Sequence, residues 1–187
     1  MAPLACALAN LVAALALAFV IAPATPLVPD LAERERYIRE HLLVWRLAWG
    51  TWMLAAATLL WFYVWWRRRV GGPTSALWIA GGGIVADWTS EAALIVAGAD
   101  AYAAVAPLAF FTTGAIANGL YTIAGIQLTL ATRLGTWSRA YAAFMWSAGL
   151  MLSLGALISQ PLISAIATAE LFVLFVPWCV WLWRRLG

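Results

Sequence analysis

Two carboxyl groups lie inside an apolar stretch of the chain, where a charged side chain is energetically costly. Asp87 and Glu91 are four residues apart within a run long enough to cross a bilayer. On a helix this spacing puts both side chains on one face, about 6 Å apart along the axis. A charged Asp at the centre of a bilayer costs at least roughly 2.5 to 3.5 kcal/mol, so such residues usually mark a functional site. We therefore expect the pair to act as one acidic site.

The protonation of this pair follows from its spacing. Like charges one helical turn apart repel, and a medium of low dielectric disfavours two ionised carboxyls so close together. We expect at least one of Asp87 and Glu91 to carry a proton at neutral pH, and the two to titrate as a coupled unit. A protonated carboxyl among aromatic residues can act as a general acid. The alternative is that both acids only hydrogen-bond to neighbouring helices and fix their register.

Other polar and aromatic side chains are expected at a similar depth. Counting about 1.5 Å per residue places Asn118 and Glu170 near the middle of the fourth and sixth apolar stretches. Arg46 is the only cation within such a stretch, and a guanidinium can hold a carboxylate through two hydrogen bonds. Each residue could instead serve only to pack or bond helices together. The candidate proton-carrying or catalytic residues are Asp87, Glu91 and Glu170, and the candidate ligand contacts are Asn118, Tyr121, Trp88, Trp49 and Arg46.

The elements that must position these residues are long and apolar. Of 187 residues, 65% are hydrophobic and only 10% are charged, whereas a soluble domain has about 25% charged residues. The composition predicts an all-α polytopic membrane protein, built as a bundle of six transmembrane helices. It forms one integral membrane domain over residues 1–187, with spans at about residues 3–27, 42–66, 75–98, 105–131, 140–159 and 162–183.

The linker at residues 30–41 has a different composition from the spans that flank it. Asp30 can cap a short helix, in which Glu35 and Arg39 are spaced for an i, i+4 ion pair, as are Arg36 and Glu40. Apolar residues fall on the opposite side of that helix. We expect a short interfacial amphipathic helix, or a lid, between the first two spans. A solvated connector is the alternative.

The distribution of basic residues predicts the orientation. Loops on the cytoplasmic side of a membrane protein carry an excess of Lys and Arg. Basic residues follow spans two, four and six, whereas none follow spans three and five. We therefore expect a bacterial-type inner membrane protein with both termini in the cytoplasm. The residues that carry this signal are Arg67-Arg68-Arg69, Arg133, Arg139 and Arg184-Arg185.

Several kinds of chemistry are excluded or unsupported. All 11 basic residues are Arg, so no Lys is present for Schiff-base catalysis. One histidine, His41, and two cysteines, Cys6 and Cys179, are too few for a haem pair or a zinc set. We expect no metal and no cofactor, since phosphate-binding glycine loops are also absent. Nothing supports nucleic-acid binding, because Arg67-Arg68-Arg69 adjoins a span and reads as a topology signal or an anionic-lipid anchor.

Three functions are compatible with an acidic, Trp-lined site at such a depth. The first, which we favour, is binding of, or proton transfer to, a lipophilic small molecule of isoprenoid, sterol or amine type. An enzyme of this kind would be an acid-catalysed isomerase or cyclase. The second is proton-coupled transport by the same carboxylates. The third is an accessory subunit that packs on a partner in a larger membrane complex, or on a second copy of itself.

Overall fold

The computed structural model describes residues 1–187, and its regular structure is helical, with no strand. Six of its seven helices, all except α2, are long and apolar enough to cross a membrane. The predicted all-α class with six such helices is confirmed. The helices are α1 (Ala2–Ala24), α2 (Leu31–Glu40), α3 (Leu42–Val70), α4 (Ser75–Ala97), α5 (Tyr102–Ala131), α6 (Thr136–Leu157) and α7 (Pro161–Leu186).

Several helices extend further than the apolar pattern indicates. Helix α3 runs on to Val70, four residues beyond the expected end of the second span, and α6 begins at Thr136 rather than at residue 140. The hydropathy pattern marks only the apolar part of each span. A helix can continue beyond that part through Arg, which has a good helix propensity. Gly71 then ends α3 with a φ of 68°, a left-handed conformation that glycine adopts without steric cost.

The six long helices form a ring in the order α1, α3, α4, α5, α6, α7. Each helix packs on the next, and α7 packs back on α1, so the first and last helices of the chain are neighbours. Long helices that follow one another along the chain are joined by short connections or by the small α2 unit, and they run in opposite directions. This arrangement leaves space at the centre of the ring that all six helices can reach.

The buried apolar residues form two separate clusters. On α4, Ala80 belongs to one cluster and Leu94 to the other, so the segment with Asp87 and Glu91 crosses the boundary between them. The first, which we call the inner cluster, includes Phe62, Tyr63, Trp66, Leu128, Met145 and Trp178. The second, which we call the outer cluster, includes Ile21, Ile38, Trp45, Trp49, Leu94 and Tyr102.

Helix α2 packs its apolar face against the outer cluster. Asp30 caps it, accepting a hydrogen bond at 2.9 Å from the backbone N–H of Ala32, and Ile38 is fully buried. The two predicted i, i+4 ion pairs within α2 do not form. Arg39 instead pairs with Asp100 at 3.1 Å, because the turn between α4 and α5 brings that carboxylate beside α2. The pair ties the α4–α5 turn to α2.

One end of the ring carries positive charge only, and we call it the basic end. Arg69 Nη1 donates a hydrogen bond at 2.6 Å to the carbonyl of Leu186, and Arg185 Nη2 donates one at 3.2 Å to the carbonyl of Arg133. These contacts gather the basic residues that follow α3, α5 and α7. No acidic residue occurs in the segments that form this end, residues 67–75, 131–139 and 182–187.

Candidate functional site

A small cavity lies at the centre of the ring, and we call it the central cavity. Its volume is about 70 Å³, and all six long helices line it. A water molecule needs roughly 10 to 15 Å³ of such space, so the cavity can hold a few waters or one small polar group. Its polar lining residues are Asn10, Asp87, Asn118, Tyr121, Thr122 and Thr168. Besides Tyr121, its aromatic lining residues are Trp52, Tyr63, Trp146, Phe172 and Phe175.

Asp87 is the acidic residue of this cavity, and its side chain is 1% exposed. The hydroxyl of Thr113 donates a hydrogen bond to Oδ1. The hydroxyl of Tyr121 donates one to Oδ2 at 3.1 Å. An ionised carboxylate only accepts hydrogen bonds, and here each of its oxygens has a donor. The surroundings of Asp87 are therefore suited to a carboxylate.

Both donors come from α5, which has an irregular turn beside Asp87. Residues Thr112–Ala117 form a π-helix, in which each backbone hydrogen bond spans five residues instead of the four of an α-helix. Asn118 Nδ2 donates a hydrogen bond at 2.7 Å to the carbonyl of Thr113. Asn118 thus stabilises the turn that presents Thr113 to Asp87. Turns of this type are frequent at functional sites. Sequence reasoning missed Thr113, and the only local signal for it is the polar Thr112-Thr113-Gly114 run in an apolar segment.

A glycine allows Tyr121 to reach Asp87. A Cβ atom on Gly83 would lie 2.7 Å from Tyr121 Cε1, whereas one on Gly81 would meet nothing within 4 Å. The close approach of α4 and α5 therefore depends on Gly83 rather than on the whole triple-glycine run Gly81-Gly82-Gly83. Tyr63 adds a second restraint, because its hydroxyl donates a hydrogen bond at 2.9 Å to the backbone carbonyl of Tyr121.

Glu91 has surroundings opposite to those of Asp87. It is fully buried, it does not line the central cavity, and neither carboxyl oxygen has a hydrogen-bond partner. The next buried residue along its face of α4 is Leu94, a member of the outer cluster. An ionised carboxylate here would have neither a donor nor a counter-charge, which is far more costly than a neutral carboxyl.

Arg46 and Trp88 lie outside the cavity, contrary to expectation. Arg46 is exposed, and its Nε donates a hydrogen bond at 2.9 Å to the carbonyl of Ile95 rather than to a carboxylate. Trp88 is 39% exposed, and its Nε1 donates one at 3.0 Å to the carbonyl of Met53. Both residues tie α3 to α4. The count of residues along a helix gave their depth, but it could not give the direction in which their side chains point.

The tryptophan that α3 contributes to the cavity wall is Trp52 and not the expected Trp49. Trp49 is buried in the outer cluster, with its ring centroid 6.1 Å from that of Phe110, and it does not line the cavity. Trp52 does, and its ring meets that of Phe172 from α7 at 5.6 Å. The two tryptophans are three residues apart, so a small error in the assumed helix rotation exchanges one for the other.

Glu170 does not join the acidic pair. It is half-buried, it makes no hydrogen bond or ion pair, and it does not line the cavity. Helix α7 turns Thr168 and Leu171 towards the cavity instead. Three acids and Asn118 were expected to lie at one depth around the site. Of these four residues, only Asp87 and Asn118 line the cavity. Residues missed from the sequence, such as Asn10, complete the lining from the other helices.

The site combines a buried carboxyl group, hydrogen-bonding groups and aromatic rings in one small cavity. Aromatic rings attract an organic cation that lies within about 6 Å of their centroids, and a carboxylate neutralises its charge. No group of three His, Cys, Asp or Glu side chains within residues 1–187 is placed to hold a metal ion. No family model, curated protein or solved structure matches the chain.

Proposed function

We propose that the chain is an integral membrane protein whose central cavity binds the cationic amine end of a lipophilic small molecule. The observation that carries this proposal is a buried carboxylate, Asp87, in a cavity walled by aromatic rings from α3, α5, α6 and α7. A carboxylate with aromatic neighbours favours an organic cation over a neutral alcohol of the same size. Asp87 is the counter-ion in this proposal, and Tyr121 and Thr113 hold it in place.

Membrane insertion is part of the proposal. Six long apolar helices in a ring, with many large apolar side chains exposed around it, suit a hydrocarbon environment. The basic end would face the cytoplasm of a cell with a bacterial-type inner membrane, which puts both termini there. Helix α2 would then lie at the outer interface, above the outer cluster.

The size of the cavity favours one of the ligand types that the sequence left open. Sites for whole drug-sized molecules have volumes of roughly 300 to 1,000 Å³, whereas this cavity has about 70 Å³. An isoprenoid or sterol skeleton does not fit, but an ammonium or small alkylammonium group does. We therefore place only the head of the ligand in the cavity, with its apolar tail between helices.

The two acids have different roles in this proposal. Asp87 has two hydrogen-bond donors and stays ionised, so it pairs with the ammonium group. Glu91 has none and holds a proton. With a cationic ligand bound, the site as a whole is then neutral, which is the cheapest charge state in a medium of low dielectric.

A binding experiment tests the proposal directly. The probes are N,N-dimethyldodecylamine and the uncharged 1-dodecanol, with the purified protein in a non-ionic detergent. We expect the amine to bind at least tenfold more tightly than the alcohol, a difference of about 1.4 kcal/mol. Asp87→Asn should remove that preference while the protein stays folded.

The control for this experiment is Glu170→Gln. It removes a carboxyl at a similar depth that does not line the cavity, so amine binding should be unchanged. Equal binding of the amine and the alcohol by the native protein contradicts the proposal. So does an Asp87→Asn protein that retains the native preference.

Proton-coupled transport of the same cation is a second candidate. The observation that favours it is that the acids lie at the boundary between the inner and outer clusters, so a movement of one cluster relative to the other would open the cavity to one side. In proteoliposomes, amine uptake should then release protons, and Glu91→Gln should abolish the coupling while leaving binding intact. Binding without uptake rejects transport and leaves the binding site standing.

A further inference from the structure

A second concave site lies between α6 and α7 at the basic end, and we call it the tryptophan groove. Its volume is about 330 Å³, within the range of small-molecule sites. It shares no residue with the central cavity. Its lining residues are Trp137, Ser138, Tyr141, Pro177, Trp178 and Trp181.

The floor of the groove is a continuous row of stacked rings. Tyr141 stacks on Trp178 with centroids 6.0 Å apart, and Trp178 stacks on Trp181 with centroids 4.9 Å apart. Trp137 stands at the edge with 89% of its surface exposed. Pro177 lies inside α7, where the missing backbone N–H and the ring bend a helix. The groove is therefore lined mainly by aromatic rings, and an extended hydrocarbon chain can pack along them.

Arg184 and Arg185 follow the last lining residue of the groove, Trp181, along α7. Arg185 lies over the ring of Trp181, with its guanidinium carbon 5.2 Å from the ring centroid. Arg184 is three residues beyond Trp181, which puts it on the same side of α7. Neither residue forms a salt bridge. The segments that form the basic end contain no acidic side chain to pair with them.

We infer that the tryptophan groove binds one anionic phospholipid, with an acyl chain along the ring floor and the phosphate at Arg184 and Arg185. Guanidinium groups bind phosphate oxygens through paired hydrogen bonds, and basic pockets between membrane helices bind anionic headgroups. A second copy of the chain fits less well, because a two-fold contact at this groove would bring the four guanidinium groups of the two copies together. The inference requires the membrane insertion proposed above, but it does not depend on the amine site.

The test of the headgroup compares two lipids and two arginines. Purified protein in a non-ionic detergent is mixed with dioleoylphosphatidylglycerol or dioleoylphosphatidylcholine, and retained lipid is counted by native mass spectrometry. We expect one phosphatidylglycerol to be retained in preference to phosphatidylcholine. Arg184→Gln should lower its apparent affinity about fivefold, as expected for one basic residue near a lipid phosphate.

The matched control is Arg68→Gln, which removes the same charge from an exposed residue at the same end of the molecule. We expect it to leave lipid retention unchanged. Equal losses in the two variants, or equal retention of the two lipids, would overturn the inference. Displacement of the lipid by excess inorganic phosphate would also overturn it, because the groove would then be a phosphate site and not a lipid site.

The position of the acyl chain has its own test. Phosphatidylglycerol with a photoreactive diazirine in mid-chain is cross-linked to the protein in liposomes, and the labelled peptides are mapped. We expect label in residues 137–141 and 177–181, reduced by Trp181→Ala and unchanged by Trp78→Ala, a control at an exposed tryptophan of α4. Label spread evenly over all six long helices would reject the groove as the binding site.

Discussion

Asp87 and Glu91 are one turn apart on the same helix, but one has hydrogen-bond donors and the other has none. Glu91→Met should raise thermal stability in detergent, by roughly 1 kcal/mol or more, because it replaces an unsatisfied buried polar group with an apolar one of similar size. Asp87→Ala should lower stability by about 1 to 3 kcal/mol, because it leaves the hydroxyls of Thr113 and Tyr121 without an acceptor. Destabilisation by Glu91→Met would mean that Glu91 has a partner.

The triple-glycine run gives a matched pair of substitutions. Gly83→Ala should cost about 1 to 3 kcal/mol and weaken amine binding, because the new methyl group would push Tyr121 away from Asp87. Gly81→Ala meets open space and should stabilise α4 by roughly 0.5 to 1 kcal/mol. Thermal unfolding of both variants in detergent checks this, and equal effects would show that Gly83 does not set the distance between α4 and α5.

The sequence allowed the depth of each polar residue along its helix to be estimated, but not the direction in which its side chain points. The cost of a buried charge was enough to identify Asp87 and Glu91 as interior candidates. The same count along the helix placed Glu170 near them and Arg46 about one turn inside the outer end of its span, yet both side chains point elsewhere. Nothing in a single sequence gives the rotation of an apolar helix when its neighbours are equally apolar, so Trp52 and Thr168 could not be identified.

At the scale of a helix, the irregular turn of α5 is the feature on which the site depends. Asn118→Leu should cost about 1 to 3 kcal/mol, because it leaves the carbonyl of Thr113 without its side-chain donor. It should also reduce amine binding by moving Thr113 away from Asp87. Gln127→Leu is the control: it removes a bond to Ser75 near the end of the helix, where water can replace it.

Thermal unfolding and binding of N,N-dimethyldodecylamine check both variants of α5. If Asn118→Leu and Gln127→Leu behave alike, the turn does not hold the site. Hydropathy predicted the helix itself well, since the expected span at 105–131 lies within Tyr102–Ala131. It could not predict the π-helical turn, because the extra residue is accommodated by tertiary contacts that hydropathy does not contain.

At the scale of the whole molecule, the charge asymmetry predicts the orientation. A cysteine at Gly187 should react only with a cytoplasmic thiol reagent, and one at Ala101, in the turn between α4 and α5, only with an external reagent. The native Cys6 and Cys179 are fully buried and should give little background. Membrane-impermeant maleimide on intact cells makes the measurement, and labelling of residue 187 from outside would invert the topology.

The closed ring has a consequence for how the protein is made. Helix α1 is synthesised before both of its partners, α3 and α7, and α3 to α6 all precede α7 along the chain. Asn10 on α1 and Thr168 on α7 both line the cavity, so the cavity is incomplete until α7 has been made. A nascent chain that stalls before α7 would leave the polar lining of the cavity, Asn10 and Asp87 included, uncovered on the side that α7 occupies.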